Sequence, residues 1–438
     1  MTSYDRLRVL VPDHLGLARG KYLPWRLADR GTSLCSGTWL LDYQRQILEV
    51  ELGIDPTGFP DVDVEYSLHD VRPCWEDGTG VVVGDVTYHG QPFRTSARHA
   101  LRRAVADWNQ LGYQPKVGIE LEAYVFEPGD AGGSWRPHHT PSAFVYGTGV
   151  MADPDGLISE IMRRAEACEI PVESISSEFD FPQWELTLEY GDALAAVDDI
   201  FLFQQLARET AFERGLRLTF LGKPIPEKAG SGLHVNLSLT DSQGANALVD
   251  TSAEAGISTL ARQSIAGLIE HHEGLAALCA PTVNAYKRFQ IASLAGLFAN
   301  WGYDHRCAAV RIPPHRGTET RIEHRMPDGA ANPYVATAAV LQAARLGVAN
   351  GLTPPAPETG DGVESINTER RVAAHLGAAL DELVADTDLV EAVGSELVAN
   401  LVDVKRHEWS SYLEAEGDWE STCGRLTDWE LAWYFPFH

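Results

Sequence analysis

Residues Val117–Phe126 read VGIELEAYVF. In a strand the side chains of residues i and i+2 share a face. Glu120 and Glu122 therefore project to one side, while Ile119, Leu121 and Ala123 take the other. Three further stretches repeat the pattern: Gln183–Tyr190 (QWELTLEY), Leu233–Leu239 (LHVNLSL) and Thr320–Met326 (TRIEHRM). They align Gln183 with Glu185, His234 with Asn236, and Arg321 with Glu323 and Arg325. An ordinary half-buried strand keeps apolar groups on its protected face and a loose polar mix outside. Here a few carboxylates, one imidazole and paired arginines recur. Unpaired buried charge is costly, so the set calls for metal ions and anionic ligands.

Outward from these strands the chain divides at about residue 95. Residues 1–95 read as a small strand-rich unit, with strands expected at Leu7–Val11, Thr38–Leu41 and Val81–Val86 between Gly/Pro/Asp breaks. Thr95–Ser96 is a helix start, followed by Ala100, Leu101, Val105 and Trp108 at helical spacing. Residues 96–438 alternate strands with longer helices, expected at Asp155–Glu169, Ala193–Arg214, Ala253–Leu278, Pro333–Ala349, Ser365–Val384 and Leu389–Leu413. The expected fold class is α+β, an antiparallel-leaning sheet with helices packed outside it.

The 438 residues are 44% hydrophobic and 22% charged, which suits a globular protein with a large core. A formal charge of −27, with no basic run, argues against nucleic acid or an anionic membrane as partner. No apolar stretch is long enough to span a bilayer, and the N-terminus lacks a signal-like apolar core, so a cytoplasmic location is expected. Cys35, Cys74, Cys168, Cys279, Cys307 and Cys423 show no CxxC spacing and read as buried reduced thiols.

Glu120, Glu122, Glu178, Glu185, His234 and Glu323 form a hard, oxygen-rich donor set that suits Mg²⁺ or Mn²⁺, with two ions fitting the number of ligands. Any one of these acids reads more simply as a surface residue; the joint pattern, punctuated by Gly, Pro and Arg, does not. Arg288, Arg306, Arg311, Arg321 and Arg325 follow in a short span, and guanidinium forks bind carboxylate and phosphate. Two metals with several arginines is equipment for phosphoryl transfer. No Walker loop occurs, since Ala229–His234 (AGSGLH) lacks the lysine, and no GxSxG elbow is present. His271, His272, Trp429 and Trp433 read as surface or packing residues.

Eight segments in series resemble the glutamine synthetase family. They are Asp13–Pro24 (DHLGLARGKYLP), Gly118–Glu122 (GIELE), Glu178–Glu185 (EFDFPQWE), Gly230–Leu239 (GSGLHVNLSL), Asn284–Arg288 (NAYKR), Arg311–Pro313 (RIP), Arg321–Arg325 (RIEHR) and Ala331–Tyr334 (ANPY). The resemblance implies a β-grasp N-terminal domain, a catalytic domain with a curved antiparallel sheet, and rings, usually dodecamers, in which one subunit's N-terminal domain completes a neighbour's site. Carried over by motif, one metal falls to Glu122, Glu178 and Glu185 and the other to Glu120, His234 and Glu323. Arg288 and Arg325 would hold glutamate carboxylates, with the Gly230 backbone near its amino group. Arg306 and Arg311 would face the phosphates of ATP, and Glu173, Asn236 and Ser238 would contact the nucleotide. The implied reaction phosphorylates the glutamate γ-carboxylate and then lets an amine displace phosphate, with Arg306 and Glu323 as the catalytic pair.

The chain departs from the family between Arg288 and Arg306. Where glutamine synthetases resemble R-L-V-P-G-Y-E-A-P, with a Glu that closes over the intermediate and helps deprotonate ammonium, this chain reads RFQIASLAG and places Leu294 at the Glu position. The acidic F-D-G-S-S-I segment is not recognisable around Ser33–Leu40. These differences lead to an organic amine as nucleophile, with Asp42 a candidate proton acceptor and Trp25, Trp39 and Tyr43 favouring a less polar amine. Two alternatives stand beside it: an ordinary glutamine synthetase using ammonia, and a non-catalytic assembly protein of the same fold.

Overall fold

The computed structural model describes residues 4–130, 133–290, 293–360 and 365–438. Eight strands precede the first long helix: β1 (Arg6–Pro12), β2 (Ala18–Pro24), β3 (Thr32–Cys35), β4 (Asp61–Glu65), β5 (Arg72–Pro73), β6 (Thr79–Val83), β7 (Asp85–Tyr88) and β8 (Gln91–Pro92). They form two sheets, ordered β2-β1-β6-β5 and β3-β4-β7-β8. The first is mixed, because β1 runs parallel to β6 and antiparallel to β2. Alternation along β1 explains its place. Leu7, Val9 and Val11 enter an N-terminal cluster with Trp39, Val62 and Phe93, while Leu10 faces the main core.

Two N-terminal expectations change. Thr38–Leu41 is not a strand: Ser36–Leu40 forms a 3₁₀ turn, because buried Trp39 and Leu40 anchor it and Leu48 N–H bonds the Leu40 carbonyl locally. The Val81–Val86 run splits at Gly84 into strands of different sheets; a Cβ there would lie 2.5 Å from a Val64 methyl.

Helix α1 (Ala97–Gln110) starts as expected, with the Ser96 hydroxyl accepting from His99 N–H. Ten strands then build the large sheet: β9 (Gln114–Pro128), β10 (Trp135–Pro137), β11 (Val172–Ser177), β12 (Gln183–Leu188), β13 (Gly191–Asp192), β14 (Arg217–Thr219), β15 (Leu233–Thr240), β16 (Trp301–Tyr303), β17 (Val310–Ile312) and β18 (Ile322–His324). Its main order is β11-β12-β9-β15-β18-β17-β16, with β10, β13 and β14 also pairing with β9. All pairs are antiparallel except β16 with β17. The long strand β9 is the spine on which the site is built.

Helices α2 (Leu157–Ala167), α3 (Ala193–Glu213), α4 (Thr259–Glu270), α5 (His272–Cys279), α6 (Pro333–Ala349), α7 (Leu376–Ala385), α8 (Thr387–Val393), α9 (Ser395–Glu416), α10 (Trp419–Thr422) and α11 (Asp428–Trp433) complete the chain. Helix α6 starts from Asn332, whose side chain accepts from Tyr334 N–H, with Pro333 in the first turn. The Ala253–Leu278 expectation resolves into α4 and α5, broken at His271. Of Ser365–Val384 only Leu376 onward is helical, because the His375 ring caps the Ala378 N–H. The last expected helix divides at Gly394, whose φ of 129° no other residue type adopts readily.

His271 pairs with Asp386 at 2.8 Å, His272 is fully buried, and Trp429 stacks on Trp433 at 4.4 Å, so these four are packing residues. Only Cys168 and Cys279 are buried. Cys35 is exposed and Cys74, Cys307 and Cys423 are half-buried, which corrects the expectation of buried thiols; none of the six is in a disulfide. Among the described residues no helix is long and apolar enough to cross a membrane.

Candidate active site

Strand register assembles the acids. In β12 and β9, Glu185 lies opposite Glu122 and Thr187 opposite Glu120. On the other side of β9, His234 of β15 lies opposite Glu120, and Asn236 lies opposite Glu323 of β18. Four strands thus present alternate residues to one cavity, as the period-2 pattern requires. Two triples result: Glu120, His234 and Glu323, and Glu122, Glu178 and Glu185. Within each, donor atoms lie within 4.8 Å of one another. Glu178 follows the last residue of β11, and a cis Phe181–Pro182 bond closes the bend before Gln183.

Hydrogen bonds fix the cavity walls. Gly232 N–H donates to Glu122 Oε2 at 2.7 Å, and Asn236 Nδ2 donates to Glu120 Oε1 at 3.0 Å. His234 Nδ1 is 3.5 Å from Glu120 and 3.9 Å from Glu323, and its Nε2 is 3.9 Å from Glu122. Any side chain at Gly232 would meet both Arg288 Nη2 and His234 Nε2 at 2.7 Å, so the close approach of turn, imidazole and guanidinium requires glycine.

The electrostatics leave room for cations. Burial and the neighbouring Glu120, Glu178 and Glu122 push the Glu185 carboxyl up to about 8. Burial and Glu122 raise Glu178 as well. Burial also works to raise Glu120, yet the hydrogen bond and charge of His234 hold it below the usual carboxylate range. Converging carboxylates of this kind repel one another and are stabilised by a positive ion. All-oxygen donors with one imidazole fit Mg²⁺ or Mn²⁺.

The arginines fall into two groups. Glu323, fully buried, is gripped by Arg325 and by Arg311 Nη1 at 2.8 Å; Arg311 also holds Asp304 at 2.6 Å. Arg321 donates to Asn236 Oδ1 at 3.0 Å. Arg288 is buried, and its two terminal nitrogens donate to the carbonyls of Met326 at 2.7 Å and Arg325 at 3.1 Å. It therefore braces the chain that carries Arg325, and only its remaining N–H capacity is left for a ligand. The Gly230 carbonyl accepts from Gln183 Nε2 at 3.0 Å.

A cleft of about 1050 Å³ opens beside the acids. Glu120, Glu178 and Glu185 line it together with Glu173, Asn236, Ser238, Arg306, Arg311 and Arg321. All five residues expected at the nucleotide, Glu173, Asn236, Ser238, Arg306 and Arg311, thus share one cavity, with exposed Arg306 at its wall. Arg288, Arg325 and Gly230 lie behind it, outside that lining.

The family model of the glutamine synthetase catalytic domain matches residues 94–423. A glutamine synthetase of Clostridium saccharobutylicum is 34% identical over 343 residues, 76% of each chain. The chain belongs to the glutamine synthetase family. A glutamine synthetase of Halobacterium salinarum is 29% identical over 432 residues, covering 95% of this chain and 92% of its own. The solved structure of GmaS without ligand superposes with a TM-score of 0.82 at 27% identity, covering 98% of this chain and 96% of GmaS. A GmaS complex with ADP gives the same values. Members of the glutamine synthetase family are carbon–nitrogen ligases that use ATP and divalent metals, and this chain is a ligase of that kind.

The loop after Arg288, which departs from the family pattern, exposes an apolar side chain at Leu294. Leu294 is 50% exposed, and its carbonyl lies 3.5 Å from Arg325 Nη2; Ile291 and Ala292 lie outside the described residues. Two N-terminal expectations do not survive. Asp42 is 2% exposed, accepts from Gln46 N–H and faces His407 at 3.4 Å, so it does not reach the cleft of its own chain. Trp39 and Tyr43 are core residues and carry no information on the amine. Sequence reasoning gave no role to Asp328, Gln183, Asp304 or Tyr146, although it placed Gln183 on the Glu185 face. Asp328 is pushed up to about 7 by burial, and its Oδ2 has no partner among the described residues. Tyr146 lines the cleft although its loop carries no motif. Only the spacing of Gln183 to Glu185 offered a signal for any of them.

Proposed function

We propose that the enzyme joins the γ-carboxylate of glutamate to an organic amine at the expense of ATP. The terminal phosphoryl group passes to the γ-carboxylate, giving γ-glutamyl phosphate and ADP. The amine nitrogen then attacks the acyl carbon, the C–N bond forms, the C–O bond to phosphate breaks, and the proton lost from nitrogen leaves with the released phosphate. Arg306 and Arg311 face the phosphates, Glu173, Asn236 and Ser238 contact the nucleotide, and Arg325, seated by Arg288, receives glutamate beside Gly230. Two Mg²⁺ or Mn²⁺ ions would be held by Glu122, Glu178 and Glu185 and by Glu120, His234 and Glu323, where they supply charge neutralisation for the transferred group. Arg306 would work with Glu323 as the catalytic pair.

The observation that carries the amine is Leu294. A half-exposed leucine, in a loop whose backbone carbonyl meets Arg325, neither attracts NH₄⁺ nor accepts a proton, and its apolar side chain is compatible with the carbon skeleton of an organic amine. The likeness to GmaS, a γ-glutamylmethylamide synthetase, supports the same reading. Ammonia is the competing acceptor, favoured by the names of the curated relatives. A purely structural assembly protein is disfavoured, because no structural role needs six converging metal-ligand side chains. We further infer cytoplasmic rings, dodecamers in the family manner, in which residues 1–95 form a β-grasp module and residues 96–438 the catalytic unit.

Phosphate release with ATP, Mg²⁺ and glutamate, measured against ammonia and a panel of amines, tests the reading. An organic amine should show the highest kcat/KM. Ammonia at the top would refute the amine, and no turnover with any acceptor would favour the assembly role.

A further inference from the structure

Away from the cleft, Arg208 of α3 and Arg217 of β14 line one groove of about 220 Å³, walled by Phe212, Leu218, Phe435 and Pro436. Neither arginine has a carboxylate within 4.0 Å among the described residues. Each donates to a backbone carbonyl instead, Arg208 Nη2 to Pro436 at 3.0 Å and Arg217 Nη1 to Phe435 at 3.2 Å. Carbonyls satisfy N–H groups but do not neutralise a cation. The acid on the groove wall, Glu209, is spent on Arg8 at 2.7 Å and on the Trp75 indole. Arg217 is further fixed by stacking, 4.6 Å from the Trp135 ring and 4.8 Å from Phe435. Burial and the like charge of Arg217 bring Arg208 down to about 10. In a chain with 62 acids and 35 lysines and arginines, two partly buried guanidiniums with no ion-paired acid, the charge of Glu209 acting on Arg208 only at a distance, are a costly arrangement that a bound anion would offset.

We propose that Arg208 and Arg217 form a binding site for a small multivalent oxyanion of the phosphate or dicarboxylate class. Guanidinium forks suit both ligands, and the groove has room for one of them. None of its lining residues belongs to the ligand cleft, so it is a separate site. It is nonetheless attached to the catalytic spine, because Arg217 pairs with Phe126 on β9, the strand of Glu120 and Glu122.

The test is calorimetric titration of the intact protein with inorganic phosphate and, separately, with malonate at constant ionic strength. Wild type should bind one equivalent that R208Q and R217Q bind at least tenfold more weakly, while phosphate binding in the cleft persists in both variants. Glutamine keeps an N–H for the Pro436 or Phe435 carbonyl. Loss of the malonate signal alone assigns the dicarboxylate, and loss of the phosphate signal alone assigns phosphate. Identical isotherms for wild type and both variants with both anions overturn the site. Should a variant fail to fold, phenylglyoxal labelling of wild type decides: the anion protects Arg208 and Arg217 if the site exists, and unchanged labelling overturns it.

Discussion

Glu323 shows how much one side chain carries. It is fully buried between Arg311 and Arg325, and it belongs to one of the two triples that could hold a metal ion. Glu323→Ala should abolish turnover and also lower stability by about 3–5 kcal/mol, because buried Arg325 loses its ion-pair partner and Arg311 is left with Asp304 alone. Denaturant unfolding beside the phosphate-release assay checks both effects, and an active variant would remove Glu323 from the site. Leu294→Glu should move acceptor preference toward ammonia, read as the ratio of kcat/KM values; an unchanged ratio would mean that the loop does not select the acceptor. At this scale the convergent acids were legible because strand parity is local: Glu120 and Glu122 share a face in any register. Asp42 and Trp39 misled because exposure is set by what packs on top. Nothing near Asp42 in the chain announces His407.

Among the elements, register does the assembling. Each of β9, β12, β15 and β18 has a readable pattern, but the pairing that puts Glu185 opposite Glu122 and His234 opposite Glu120 is a long-range outcome. The motif order of the family supplied what local pattern could not. Helix existence was legible from periodicity, and α3 and α6 lie where the apolar spacing placed them. Helix breaks were not, because His271 and the His375 cap act through geometry invisible to apolar spacing. Asn332 joins elements directly: it caps α6 through Tyr334 N–H and donates to the Asp13 carbonyl at 3.0 Å. Asn332→Ala should cost about 2 kcal/mol, from loss of a cap and of a buried bond between the N-terminal strands and α6. A urea midpoint equal to wild type would show that the junction is held elsewhere.

For the whole molecule, the two triples make stability depend on pH and metal. The Glu185 carboxyl titrates near 8 in the fold, against the ordinary carboxylate range when unfolded. Between those values the folded chain holds a proton that the unfolded chain has released, so the metal-free protein should lose stability as pH rises through this window. Its Tm should fall from about pH 5 to about pH 8, and Glu185→Gln should flatten that fall. Excess Mg²⁺ should oppose it, since the bound ion favours the ionised carboxylate. The acidic net charge was readable from composition, but the convergence of six donor residues into two triples required the sheet. The most direct measurement of the central claim is therefore calorimetric titration of the metal-free protein with Mn²⁺. Two ions per chain are expected, with Glu120→Ala and Glu185→Ala each losing one; no binding in wild type, or full binding in both variants, would contradict the account.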